Sequence, residues 1–119
     1  MTDALTTAQD YHAAWTSGDF ARARALLAER LEVEVPVNDY PTVDAFGAAL
    51  EAFGSSATDV RLLSALGGDG EATLLYDMDV PGLPTMRVAE HFTVSGGRIA
   101  RLRQVHDTHA LREAGFVGT

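Results

Sequence analysis

Two alternating runs, Arg87–Ser95 and Arg98–Asp107, carry the clearest pattern of apolar and polar positions in the chain. In the first, Val88, Phe92 and Val94 share a face with Glu90; in the second, Ala100 and Leu102 share a face with Gln104 and His106. Side chains two apart point the same way in a strand. The pattern therefore predicts two long strands joined at Ser95-Gly96-Gly97-Arg98, with a carboxylate, an amide and an imidazole aimed into an apolar layer. Burying such groups without partners is costly, so they either satisfy one another or line a cavity. A two-residue Gly96-Gly97 turn would set Ser95 opposite Arg98 and Glu90 opposite Arg103. A three-residue loop would set Ser95 opposite Ile99 and Glu90 opposite Gln104. Glycine suits both loops. The apolar faces align in the second register, Phe92 with Leu102, and a one-residue slip reverses every face. The three-residue loop is the expectation.

Upstream, Leu5, Ala8, His12 and Trp15 recur at helical spacing with Tyr11 beside them, predicting a helix over 3–17 that Ser17-Gly18 ends. Asp19 can cap a second helix, roughly 20–29, with Phe20, Ala23 and Leu27 as its stripe. Leu31–Val35 alternates and reads as a short strand ended by Pro36. Asn38–Pro41 is a loop. Val43, Phe46, Leu50 and Phe53 then mark a third helix, closed by Gly54-Ser55-Ser56. Val60, Leu62, Ser64 and Leu66 share one parity and Leu74, Tyr76, Met78 and Val80 another, giving two strands around Gly67–Gly70. Pro81–Pro84 turns the chain into the hairpin described above. The tail 107–116 reads as a short helix capped by Asp107 and stopped by Gly115. Helices first and antiparallel strands after imply an α+β fold with helices on one face of a sheet.

The chain has 119 residues and fits a single domain over 1–119. It has no cysteine, which excludes disulfides, thiol nucleophiles and thiolate metal sites. The net charge is −8; such a surface repels nucleic acid and anionic lipid, so neither is an expected partner. No apolar run approaches a membrane span, and Met1–Leu5 lacks the basic-then-apolar order of a signal peptide; a cytoplasmic protein is expected. His106-Asp107-Thr108-His109 is no convincing metal site, because a strand end and a capped helix make these side chains diverge. The glycine-rich turns lack the spacing and the following helix of a phosphate loop.

The order of elements resembles the nuclear-transport-factor-2-like superfamily, which includes the SnoaL-like cyclases and the ketosteroid isomerases. Tyr11-His12-Ala13-Ala14-Trp15-Thr16-Ser17-Gly18-Asp19-Phe20, the strand Val33–Val37, and Glu90-His91-Phe92 followed by Gly97-Arg98-Ile99 carry the likeness. It implies a cone-shaped fold, a strongly curved, mostly antiparallel sheet wrapped around three helices, with an apolar pocket at its wide end and homodimers through the outer sheet face. On the ketosteroid isomerase pattern, the oxyanion-binding tyrosine falls on Tyr11 and the protonated acid on Glu90. The general-base aspartate falls on Val35, which cannot move a proton, so that isomerase mechanism is rejected.

Glu90, His106 and Tyr11 are thus the candidate catalytic residues. In an apolar pocket a carboxyl's pKa rises, an imidazole titrates near neutrality, and a phenol can donate to a developing oxyanion. Trp15, Val35, Asp39, Phe53, Tyr76, Met78, Phe92, Leu102 and Gln104 are the expected ligand contacts, with Phe46 and Met86 as further lining. Asp39 is the nearest replacement for the missing base. The reading is a cofactor-free enzyme acting by proton transfer on an apolar, oxygenated ring compound, by cyclisation, isomerisation or dehydration. A non-catalytic binding module and a dimeric scaffold with a filled cone are the alternatives.

Overall fold

The computed structural model describes residues 3–36 and 38–115. Met1, Thr2, Val37 and Phe116, which enter the readings of the N-terminus, the short strand and the tail, lie outside the described residues.

Helix α1 (Ala4–Thr16) starts where the Asp3 carboxylate accepts the Thr6 N–H at 2.8 Å. It buries Ala8, Tyr11, His12 and Trp15 and stops at Gly18, whose φ of +86° ends the helical turn. Asp19 caps α2 (Phe20–Ala25) through the Arg22 N–H at 3.1 Å. This helix is shorter than its apolar spacing implies. The Leu26 carbonyl accepts the Ile99 N–H at 2.8 Å, and Leu27 opens the strand β1 (Leu27–Glu34). Pairing with a distant strand takes residues that would otherwise have continued the helix. Thr42 caps α3 (Val43–Gly54) through the Ala45 N–H at 3.1 Å.

The strands β2 (Asp59–Gly68), β3 (Glu71–Asp79), β4 (Met86–Ser95) and β5 (Arg98–Val105) follow. The sheet is open, mixed and five-stranded, in the order β1-β5-β4-β3-β2. β1 runs parallel to β5, and the other three pairings are antiparallel. The fold is α+β, with α1 and α3 packed on the inner face of the sheet. That face supplies Leu74, Tyr76, Met78, Val88, Glu90, Phe92 and Leu102, all buried.

The register shifts in three of the pairings, between Leu27 and Glu32 of β1 and at two places in the antiparallel strands. At the tip of the β4–β5 hairpin the turn has two residues, Gly96 and Gly97, both with positive φ (61° and 77°), and Ser95 lies opposite Arg98. This corrects the three-residue loop. Positive φ at both central residues is the backbone of the tight turn that matches strand twist. The register then slips between Thr93 and Val94, leaving Ala100 without a partner, so that Phe92 faces Leu102 and Glu90 faces Gln104. The expected pairing at Glu90 is reached by a bulge and not by the loop. The slip also turns Ile99 inward, fully buried, in place of Ala100. A second slip, at Leu63, sets Leu62 opposite Tyr76 and Ser64 opposite Leu75. Val60 and Leu62 therefore share one face, Ser64 and Leu66 the other, and the single parity expected for β2 is divided.

The last helix, α4 (His109–Glu113), is shorter than the tail pattern. Thr108 occupies its cap position, while Asp107 accepts the His109 N–H at 2.9 Å. Among the described residues no helix is long and apolar enough to cross a membrane.

Candidate functional site

A cavity of about 490 Å³ opens between the inner sheet face and helices α1 and α3. This volume falls in the range of small-molecule sites. Tyr11 and Trp15 come from α1; Phe46, Leu50 and Phe53 from α3; Tyr76, Met78, Val88, Glu90 and Gln104 from the sheet. Leu111 of α4 is buried against it.

Glu90 is 1% exposed. Its Oε2 accepts the Gln104 Nε2–H at 2.7 Å and its Oε1 accepts the Tyr76 hydroxyl at 3.3 Å. Gln104 is its direct cross-strand partner. Tyr76 stands opposite Val88, one diagonal step from Glu90, a span an aromatic side chain can bridge. Burial pushes the Glu90 pKa up to about 7, while the bonds from Gln104 and Tyr76 favour the ionised form and hold it lower than burial alone would.

Tyr11 is fully buried, its ring set edge-on to Phe92 at 5.7 Å, and its hydroxyl has no hydrogen-bond partner among the described residues. Burial, with Glu90 nearby, raises its pKa well above the ordinary value. The bond to Glu90 comes from Tyr76 instead. That ring packs against His12 at 4.8 Å and Trp15 at 5.8 Å. His12 is itself buried, with Nδ1 unpartnered among the described residues, and burial lowers its pKa to about 4, so it is neutral at pH 7. His106 sits in the cavity wall, half-buried, with Nδ1 3.0 Å from the Asp107 carbonyl. A carbonyl oxygen only accepts, so Nδ1 carries a hydrogen in that contact.

Tyr11, Glu90, His106, Trp15, Val35, Phe53, Tyr76, Met78 and Gln104 all lie in the wall. Phe92 and Leu102, both fully buried, lie in the core and not in the wall; the Tyr11 ring packs edge-on against Phe92. Asp39 is exposed and outside the wall; its neighbour Asn38, with φ of 62°, and Tyr40 take that position. Leu111 and the hydroxyl contact of Tyr76 were not anticipated. Among the described residues there is no group of three or more His, Cys, Asp or Glu side chains placed to hold a metal ion.

The SnoaL-like domain family matches residues 8–102. The chain belongs to that family. A solved protein from Kribbella flavida DSM 17836 is 37% identical, with 96% of this chain and 94% of that one covered and a TM-score of 0.89. One from Sphaerobacter thermophilus is 28% identical over 90% and 98%, with a TM-score of 0.77. An NTF2-like protein of unknown function from Cytophaga hutchinsonii ATCC 33406 is 15% identical over 94% and 97%, with a TM-score of 0.79, and shows the shared fold. No curated protein matches the chain. In this SnoaL-like domain the polar end of the cavity holds a buried carboxyl poised to gain or lose a proton, a phenolic hydroxyl and an imidazole. Such a set can move a proton and stabilise charge on an oxygen.

Proposed function

We propose that the cavity binds a small apolar ring compound and that its polar end carries out proton transfer on it without a cofactor, in a cyclisation, isomerisation or dehydration. One observation carries the reading: Glu90, buried in an apolar cavity, has its pKa near 7 beside the unpaired hydroxyl of Tyr11. A carboxyl poised at neutrality can both accept and return a proton. Glu90 and His106 exchange the proton with the ligand, and Tyr11 donates to the oxygen on which charge develops.

The test is a thermal-shift screen of wild type and Glu90→Gln against phenols, steroids, polycyclic ketones and terpenoids, followed by product analysis. A ligand at 100 times its Kd adds about 2.7 kcal/mol to stability. Turnover that survives both Glu90→Gln and His106→Ala would overturn the assignment. Val35, apolar at the position of the isomerase base, supports a second reading, a binding module without chemistry; retained binding with no product would select it.

A homodimer through the outer sheet face belongs to the same proposal. Leu75, Ala89 and Val105 form a row across that face, and Val105 is 70% exposed. Val105→Asp is expected to yield monomers in sedimentation; an unchanged wild-type monomer would remove the dimer.

A further inference from the structure

Among the described residues that line the cavity, Glu90 is the only carboxylate, and none is arginine. The sequence contains no lysine: all nine of its basic residues counted with arginine are arginines. Both Glu90 oxygens already hold one bond each, and both bonds come from uncharged donors, Gln104 and Tyr76. Each oxygen thus receives a hydrogen and keeps a further lone pair, an arrangement that favours the ionised form and leaves room for another donor. A buried anion is normally completed by a donor or an opposite charge. Among its described residues the wall holds no permanent cation for it; beside the Tyr11 hydroxyl it offers mainly aromatic faces, from Tyr11, Trp15, Tyr40, Phe46, Phe53 and Tyr76. These accommodate a flat ring or a cationic group alike. The net charge of −8 adds a field that turns anions away.

We propose that the ligand of this cavity is a ring compound presenting a hydrogen-bond donor head group, a hydroxyl or an ammonium, to Glu90, and that carboxylated or phosphorylated compounds are refused. The inference rests on the reading of the cavity as a ligand site and adds the polarity of what enters it. The donor becomes the third bond to Glu90, the group to which a hydroxyl proton can pass. Titratable neighbours of Glu90 are Tyr11 on α1, Tyr76 on β3 and His106 beyond β5, with His12 behind Tyr76. The two hydroxyls titrate well above neutrality and His12 at about 4.

Four probes on one skeleton test the proposal by calorimetry on the intact protein: 5,6,7,8-tetrahydro-2-naphthol, 2-aminotetralin, 2-tetralone and tetralin-2-carboxylate. At least one of the two donors is expected to bind ~10-fold or more tighter than the ketone, a gap of roughly 1.4 kcal/mol, with the carboxylate weakest. The amine and hydroxyl arms identify which donor is preferred. Donor affinity should rise about tenfold from pH 6 to pH 8, because binding selects the ionised Glu90. Glu90→Gln should bring donors and ketone to within about threefold of one another. A ketone that binds wild type as tightly as the better of the two donors, or more tightly, overturns the proposal while leaving the cavity a ligand site. No binding by any of the four overturns both.

Discussion

The two faces of strand β4 hold carboxyl groups in opposite ways. On the outer face, Asp77 of β3 lies opposite Arg87 and takes a two-pronged bond from it, at 2.8 and 3.0 Å. The guanidinium holds the Asp77 carboxyl below its ordinary value. Three residues along β4 on the inner face, Glu90 is held by an amide and a phenol, and burial lifts it to about 7. The outer rows continue the first pattern: Glu32 with Arg101 and Glu34 with Arg103 are paired across β1 and β5. A carboxyl bonded to a guanidinium is held in its charged form, even where, as at Asp77, it is itself nearly covered. A carboxyl given only neutral partners in an apolar layer keeps a proton it can exchange. The comparison teaches that side-chain type locates a candidate and the charge of its partners decides its use.

The comparison breaks most severely when the inner layer itself is opened. Phe92→Ala removes a fully buried ring against Tyr11 and should cost about 3–5 kcal/mol in urea unfolding. A loss under about 1 kcal/mol would mean the layer behind the cavity is loosely packed.

The next effects follow from the sign of two opposed titrations. Folded Glu90 holds its proton more tightly than the unfolded chain, whose ordinary value is 4.5. No penalty exists below that pH, and stability is lost as pH rises from 4.5 towards 7, by about 3 kcal/mol in total. Folded His12, at about 4 against 6.5, does the reverse: stability is lost as pH falls from 6.5 to 4. Wild type should therefore show a shallow profile between those limits. Glu90→Gln should remove the alkaline decline, and His12→Leu the acid one, so that the two variants slope in opposite directions in urea titrations at pH 5 and pH 8. Parallel slopes would refute the assignment of these two groups.

The outer face yields the smallest change. Arg87→Gln should lower Tm less than any substitution above, and the fall should disappear in about 1 M salt, where surface charges are screened. A fall that persists in salt would show that the outer pair contributes by packing.

Much of this arrangement was legible in the sequence. Alternation on β3 and β4 placed Tyr76, Met78, Val88, Glu90 and Phe92 inward, and helical spacing placed Tyr11 and Trp15 against them. The Glu90–Gln104 pairing followed from aligning apolar faces, yet the device behind it did not: Ile99 and Ala100 are both apolar, so their order carries no mark of a bulge. The start of β1 was hidden because Ala28, Glu29 and Arg30 are good helix formers, and Ile99, the partner of Leu27, lies some seventy positions on. Tyr76 was assigned to the lining without its hydroxyl bond, which depends on a diagonal across β3 and β4 that parity alone does not give. Asp39 could not be placed because a loop has no period.

The unpaired Ala100 has a consequence for how this hairpin can change. One extra residue absorbs the mismatch between a tight tip and the alignment of Phe92 with Leu102. The tip is thereby insulated from the cavity, as a slack link insulates a clock from its case. The pairing of Glu90 with Gln104 is therefore fixed inside the bulge, and the two-residue tip sets only the pairs beyond it.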